Sequence, residues 1–185
     1  MAELITGYGV EREQHLEHVE EEVRQYLTFL IDDKTYAVGI LEVNEIIEVS
    51  EMTDVPMMPE FLRGVINLRG EVVPVIDLAC RMQRGSVEVT KRSCIVLVTV
   101  PITGSQRQAV GLLVDSVNEI VEIQQDHIMP PPQVGEGIDT RFIEAMGRVD
   151  ERFIILLSID HILTRDQLGK IEAFSEQDWQ SSVSE

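Results

Sequence analysis

The sequence is short of the features that disulfide-stabilised, membrane-spanning and secreted proteins need. Its two cysteines, Cys80 and Cys94, are too few for a disulfide framework and fit a reducing compartment. No apolar run reaches the roughly 18 residues of a membrane span, and the N-terminal MAELITGYGVERE lacks the basic start and apolar core of a signal peptide. We therefore expect a cytoplasmic protein that does not insert into the membrane.

Positive charge is also scarce. The 185 residues carry 33 acidic and 15 basic side chains, for a formal net charge of −18. So negative a surface repels a phosphate backbone, which argues against nucleic acid as a partner. The acids are densest at the two ends of the chain, a pattern typical of solvated segments that aid solubility.

Between the acidic ends, short apolar segments alternate with turns. QYLTFLI (25–31) and TYAVGI (35–40) flank Asp32-Asp33-Lys34 and predict a hairpin. Further segments of strand character recur with little helical periodicity, which indicates an all-β barrel or sandwich. They are EIIEV (45–49), GVINL (64–68), VVPVIDL (72–78), SCIVLVTV (93–100), AVGLLVDSVNEIVEI (109–123) and RFIILLSI (152–159).

Helical signals are confined to short turns and to the ends. Short turns are expected at PEFL (59–62), after Asp77 and after Asp160, where an acid can cap a first turn. Residues 11–24 form either an amphipathic helix or a disordered acidic arm. Residues 166–179 predict a similar helix. The apolar positions at helical spacing are Leu16, Val19 and Val23 in the first segment and Leu168, Ile171 and Phe174 in the second.

An internal repeat runs through the strand segments. Two pairs of strings recur in the same order, and a third pair echoes them farther on. Duplication of one β unit, with the copies sharing an apolar interface, predicts two small β-barrels packed together. The alternative is that such strings are common strand material. The pairs are AVGIL (37–41) with AVGLL (109–113), VNEIIEV (43–49) with VNEIVEI (117–123), and VVPVID (72–77) with ILLSID (155–160).

The side chains that usually carry catalysis are poorly arranged here. His15 and His18 lie three apart among glutamates, but without a further nearby ligand they indicate a solvated surface, not a metal site. His127 and His161 are isolated, and neither neighbours a serine or cysteine in a nucleophile turn. The sequence therefore predicts no enzyme, no metal and no cofactor.

RGVINLRG (63–70) has two Arg-Gly pairs, but a strand follows it where a nucleotide loop needs a helix. Its glycines allow a tight turn or a close backbone approach, and Pro74 predicts an edge strand or a neighbouring bulge. A hairpin that presents Arg69 to another protein is the favoured hypothesis. The alternatives are a solubilising surface charge, a small-molecule-binding enzyme using the Arg-Gly loop, and a self-assembling structural protein.

The run PEFLRGVINLRGEVVPVIDL resembles the signature of the CheW family of bacterial chemotaxis adaptors. The similarity continues through YAVGILEVNEI, AVGLLVDSVNEIVEI and RFIILLSID, in the family order. It implies a CheW-like domain over 24–168 made of two five-stranded SH3-like barrels. The acidic N-terminal extension 1–23 and the acidic tail 169–185 lie outside the resemblance.

The resemblance also implies a function. CheW-like adaptors are non-catalytic and couple methyl-accepting chemoreceptors to the regulatory domain of the histidine kinase CheA, at receptor clusters on the inner face of the cytoplasmic membrane. A related array controlling surface motility or development is an alternative pathway. The family's partner-contact positions match Val43, Glu45, Gly64 and Arg69, with the receptor tip expected in a groove between the barrels. A pair between Glu45 and Arg69 would orient the guanidinium for such a contact.

Overall fold

The structure, a computed structural model, describes residues 22–102, 105–131 and 141–171. Within them the chain forms eleven strands and few helical turns, so the all-β prediction is confirmed. The strands are β1 Val23–Ile31, β2 Lys34–Gly39, β3 Val43–Glu48, β4 Leu62–Leu68, β5 Glu71–Asp77, β6 Cys94–Pro101, β7 Arg107–Val114, β8 Ser116–Gln124, β9 Ile128–Met129, β10 Ile143–Val149 and β11 Arg152–Leu157.

The strands form two sheets, as the prediction of two packed barrels requires. One sheet has the order β8-β1-β2-β11-β10-β9 and the other the order β3-β6-β7-β5-β4. Neighbours are antiparallel except for β2 with β11 and β5 with β7, which are parallel. The two sheets are therefore built alike, with one parallel pair at the same place in each.

The sixth strand of the larger sheet, β9, is short and helps to close the barrel. The smaller sheet has a comparable closing contact. Met129 of β9 pairs with Met146 of β10, and Thr53 makes an isolated bridge to Val65 of β4. Apart from this short contact, each sheet has the five strands that the family resemblance implied.

Each barrel combines strands from both copies of the repeat. The first copy comprises β1 to β5 and the second comprises β6, β7, β8, β10 and β11. Strands β1 and β2 join three strands of the second copy, while β6 and β7 join three strands of the first. The repeat unit is thus not the barrel, because the chain crosses between sheets after β2 and again after β7.

The third predicted echo, VVPVID with ILLSID, was placed two residues too far along the chain. The Asp77 amide donates to the Phe61 carbonyl at 2.7 Å, and the Ser158 amide donates to the Phe142 carbonyl at 2.7 Å. Ser158, not Asp160, therefore occupies the position of Asp77. The shared letters Ile-Asp concealed the true register.

Apolar side chains fill both barrels and the space between them. On β1 the neighbours Tyr26 and Leu27 face opposite sides of the sheet and enter different clusters. The larger cluster joins the two sheets and the smaller lies within the six-stranded sheet. Phe29, Ile31, Val75 and Ile95 belong to the larger cluster, and Tyr26, Ile123 and Leu156 to the smaller.

Pro74 lies in an interior strand, so the edge-strand prediction for VVPVIDL was wrong. β5 runs between β4 and β7, and Pro74 is paired with Val65. The alternative prediction of a bulge is confirmed, because the register shifts between Leu62 and Gly64 on the facing strand. The pairing of β5 with β7 begins only at Val75. Pro74, which has no N–H to donate, lies one residue before that pairing starts.

Two strand predictions need correction. The segment 109–123 is two strands, since the chain leaves one sheet at Val114 and enters the other at Ser116. Strand β10, IEAMGRV, was missed because its polar residues and glycine weaken the apolar alternation. An apolar run alone could not show that consecutive strands join different sheets.

Two of the short helical turns begin directly after their N-cap residues. Asp77 accepts from the Cys80 amide at 3.1 Å and begins α1 (Leu78–Arg81), as predicted. The second turn, Ile159–His161, has Ser158 at its N-cap position, two residues before the predicted cap Asp160. PEFL (59–62) is a non-helical turn that leads into β4.

The C-terminal helix α2 spans 165–171 in the described residues. Thr164 and Gln167 exchange side-chain-to-backbone bonds of 2.8 and 3.2 Å, a capping box that fixes its start. Ile171 is buried against the main core, as its predicted apolar face requires. None of the helices in the described residues has the length and hydropathy that crossing a membrane requires.

Several predictions fall outside the described residues. They are the helix or disordered arm predicted over 11–24, as far as residue 21, the solvated surface predicted for His15 and His18, and the predicted helical position of Phe174. Val23 belongs to β1, not to a helix.

Candidate protein-interaction site

The hairpin of β4 and β5 presents Arg69 at its tip. Leu68 pairs with Glu71, which leaves a two-residue turn of Arg69 and Gly70 with φ of +53° and +87°. Positive φ at both positions is the geometry of the turns that match the twist of a hairpin. The Gly70 amide donates to the Asn67 side-chain oxygen at 2.9 Å. The backbone that carries the arginine is therefore held from both sides of the turn.

Arg69 and Glu45 form the predicted ion pair. Nη2 of Arg69 lies 2.8 Å from Oε1 and 2.9 Å from Oε2 of Glu45. Glu45 belongs to β3 and Arg69 follows β4, and these are the two edge strands of the five-stranded sheet. The pair thus links the two open edges of one barrel, beyond the Thr53 bridge.

The pair is solvent-accessible. The Arg69 side chain is 72% exposed and that of Glu45 is 36% exposed. An ion pair this exposed contributes at most about 1 kcal/mol to stability. A long cation held in one direction on an exposed turn is better suited to recognition than to holding the fold.

Val43 begins β3 at the point where the chain crosses from one sheet to the other. It pairs with Val98, is half-buried, and packs against the main core. A register shift separates Val43 from Glu45, and the intervening Asn44 side chain donates to the Thr99 hydroxyl at 2.6 Å. Val43 and Glu45 therefore lie on one strand and on its partly covered face.

Gly64 lies deeper than the other predicted positions. It is buried on β4 with φ of +154°, and a Cβ placed on it would lie 2.6 Å from the Thr53 carbonyl oxygen. Its absent side chain allows the backbone of Thr53 to bridge to Val65 and close the barrel. The structure thus joins Arg69 with Glu45, keeps Val43 on the same strand, and places Gly64 beneath the closure.

Apolar side chains are exposed on β3 and in the segments that precede and follow it. Ile46, next to Glu45, is 43% exposed, and Leu41 in the turn Ile40–Glu42 that precedes β3 is 97% exposed. Met57, in the segment between β3 and β4, is fully exposed. Exposed apolar residues are a common feature of protein contact surfaces.

The second copy of the repeat lacks the pair. VNEIIEV matches VNEIVEI, so Glu119 stands where Glu45 stands in the first copy. Asp150 and Glu151 form the two-residue turn between β10 and β11, which places Asp150 at the position of Arg69. Two carboxylates cannot form an ion pair. Duplication therefore produced two equivalent hairpins, of which one carries the oriented arginine.

Asn67 is a site residue that the sequence analysis missed. The signal was present, because an asparagine three residues before a glycine in a hairpin turn can accept from that glycine's amide. The motif NLRG contains this spacing.

The described residues offer little for catalysis. No group of three or more His, Cys, Asp or Glu within them lies close enough to hold a metal ion. Burial, followed by the nearby Asp77 charge, raises the pKa of the Cys80 thiol, which disfavours the reactive thiolate. Ser158 contacts His161 Nδ1 at 2.9 Å, but the contact is exposed and spans the start of a helical turn. Two packed barrels with an oriented arginine on an edge define the class: a small β-barrel interaction module.

Comparison with known proteins specifies the module. A family model described as the CheW-like domain matches residues 25–167. A probable chemotaxis protein CheW of Rhizobium etli is 33% identical over 144 residues, which are 78% of this chain and 90% of that protein. Protein FrzA of Myxococcus xanthus is 30% identical over 114 residues, 62% of this chain and 68% of that protein.

A solved structure is also similar to this chain. The crystal structure of the scaffolding protein TtCheW from Thermoanaerobacter tengcongensis matches with a TM-score of 0.70 at 33% identity, covering 79% of this chain and 96% of that one. The chain belongs to the CheW family, as its sequence signature indicated. It is a chemotaxis adaptor, which couples chemoreceptors to the histidine kinase CheA.

Proposed function

We propose that this adaptor is a non-catalytic scaffold whose receptor-binding site is centred on Arg69 and Glu45. The observation that carries the proposal is the double contact of one guanidinium nitrogen with the Glu45 carboxylate. Because only Nη2 is engaged, Nη1 and Nε of Arg69 make no hydrogen bond within the described residues. These donors are free for acceptors on a partner, and an oriented guanidinium binds carboxylates and carbonyls well.

Val43 and Gly64 complete the proposed site in different ways. Val43 adds partly exposed apolar surface on the strand that carries Glu45. Gly64 acts from below, since it allows the closure that brings β3 and β4 together. The receptor tip, a helical hairpin, would lie along this edge and the groove between the barrels.

The partner in the kinase is the regulatory domain of CheA, and the CheW-like domain over 24–168 carries both contacts. The two-barrel design supports two separate binding surfaces, because the strand order is repeated while the charges at equivalent positions differ. One copy presents Arg69 and the other presents Asp150 and Glu151. The adaptor acts in the cytoplasm, recruited to receptor clusters at the inner face of the membrane.

Reconstitution with a receptor fragment and CheA tests the proposal. We expect Arg69→Ala to weaken receptor binding about tenfold or more, as loss of a central interface arginine does. Asp150→Ala is the matched control for receptor binding, since it alters the equivalent turn of the other hairpin and leaves the ion pair intact. Receptor binding by Arg69→Ala at wild-type strength, with kinase control retained, would contradict the site assignment.

A related array that controls surface motility or development is the second candidate pathway. The similarity to protein FrzA supports it, because the relatives of this chain are not all named as chemotaxis proteins. Deleting the gene and scoring swimming and surface spreading separately distinguishes the two pathways. A defect confined to surface movement would favour the second.

A further inference from the structure

We propose that Asn67 is a positioning residue for this site, whose side chain clasps the hairpin turn and directs Arg69 towards Glu45. Asn67 is exposed, and its Oδ1 accepts from the Gly70 amide at 2.9 Å. The bond closes a ring around Arg69, since it joins the residue two before the arginine to the residue after it. The role of the clasp in receptor binding rests on the function proposed above, whereas its effect on Arg69 does not.

The turn does not need the clasp in order to form. Two other two-residue turns in the described residues have positive φ at both positions, and neither contains glycine. They are Asp32-Asp33 at +49° and +60°, and Asp150-Glu151 at +48° and +64°. The Asp32 amide is held by the Asp115 side chain, but at Asp150-Glu151 the described residues supply no such bond. Strand pairing is sufficient to impose the backbone geometry there, so the additional bond from Asn67 requires another explanation.

The hairpin of the second copy has no arginine in its turn, and a different residue occupies the position of Asn67. Arg148 faces Phe153 across β10 and β11 as Asn67 faces Val72 across β4 and β5. Arginine has only donors and cannot accept from a backbone amide. The amide acceptor and the ion pair therefore occur together in one hairpin and are both missing from its counterpart.

A physical link connects the clasp to the guanidinium. Arg69 is 72% exposed and is tethered to Glu45 through a single nitrogen, so its direction depends on the backbone that carries it. A backbone residue that is released from one conformation regains conformational entropy, which favours the freed turn. Loss of the Asn67 bond would widen the range of directions open to Arg69 and lower the population that contacts Glu45.

The first arm of the test observes the arginine without any partner. The heteronuclear NOE of the Arg69 Nε–Hε group is measured by NMR in wild-type protein, Asn67→Ala and Asn67→Asp, with thermal melts to establish folding. We expect a clear loss of order in Asn67→Ala and rescue in Asn67→Asp, which keeps an acceptor at the same distance. An Arg69 signal unchanged in Asn67→Ala overturns the proposal.

The second arm measures binding to the receptor fragment. We expect Asn67→Ala to weaken binding about threefold or more, and to have no further effect in the Arg69→Ala background, because coupled residues are non-additive. Equal weakening in both backgrounds would show that Asn67 contacts the receptor directly and would overturn the positioning role.

The two arms separate this inference from the proposed function. If Arg69→Ala binds the receptor fragment as strongly as the wild type does, the proposed receptor site is refuted. The NMR measurement still tests whether Asn67 orients Arg69. If Asn67→Ala fails to fold, Asn67→Gln replaces it, since the longer amide keeps the polarity and moves the acceptor away from Gly70. Retained order in that variant would also overturn the clasp.

Discussion

Nη2 of Arg69 donates to both carboxylate oxygens of Glu45, at 2.8 and 2.9 Å, across the gap between the edge strands β3 and β4. The geometry leaves the rest of the guanidinium turned to solvent, where a partner can reach it. It also makes the pair a poor support for the fold, because both groups keep much of their hydration.

The first prediction is that the Arg69–Glu45 pair is nearly neutral for stability. A double-mutant cycle with Glu45→Gln and Arg69→Gln, followed by urea unfolding, should give a coupling free energy below about 1 kcal/mol. The double variant should nonetheless lose receptor binding. A coupling free energy well above that range would identify the pair as a structural latch and not as a recognition element.

The second prediction concerns Asp77, whose side chain is 1% exposed. Its carboxylate accepts from Arg63 Nη1 at 2.8 Å and from the amides of Val87 at 2.9 Å and Cys80 at 3.1 Å. Asp77→Ala leaves these donors without their acceptor and should cost about 3 kcal/mol. The measurement is the free energy of unfolding in urea.

Ser158→Ala is the control for Asp77→Ala, since Ser158 occupies the same position in the second copy. Its hydroxyl makes an exposed contact with His161, so the substitution should cost about 1 kcal/mol or less. Similar losses in both variants would show that the carboxylate network is not the cause.

The third prediction contrasts the glycines of the repeated strings AVGIL and AVGLL, which lie in different surroundings. A Cβ on Gly111 would lie 2.6 Å from Ile95 Cγ2 inside the barrel, whereas a Cβ on Gly39 would lie 3.4 Å from the flexible end of Glu42. Gly111→Ala should therefore destabilise by about 1–3 kcal/mol, and Gly39→Ala by about 0.5 kcal/mol or less. Thermal unfolding of the two variants side by side decides this, and equal melting temperatures would contradict it.

The fourth prediction concerns Glu42, in the turn that carries the chain from one sheet to the other. Burial, and then the charges of Glu144 and Asp160, raise its pKa above the ordinary 4.5, against the opposing effects of the Gly39 backbone hydrogen bond and Arg107. Because the folded state holds the proton more tightly, protonation contributes stability that is complete below pH 4.5 and is lost as the pH rises through the raised pKa.

Glu42→Gln removes this pH dependence. The variant should be more stable than wild type at pH 7, and the difference should shrink as the pH falls towards 4.5. Urea unfolding across that interval gives the comparison. Asp126→Asn, in an exposed turn, is the control, and a constant offset between Glu42→Gln and wild type would contradict the assignment.

The strands and hairpins were largely visible in the sequence because their signals are local. Alternating apolar residues and the Asp32-Asp33 turn predicted β1 and β2. The pairing of Glu45 with Arg69 was expected from the family resemblance, since nothing local relates residues on separate strands. Asn67 was overlooked, although its acceptor lies within the same short motif.

The sequence by itself determined the class of fold and the existence of two similar β units. These properties follow from side-chain chemistry and short-range spacing. Only the tertiary structure decided that the copies exchange strands, that Pro74 lies in an interior strand, and that Gly64 is buried beneath the barrel closure. Strand partners are chosen by burial of whole apolar faces against distant segments, and a linear pattern carries no record of which face meets which.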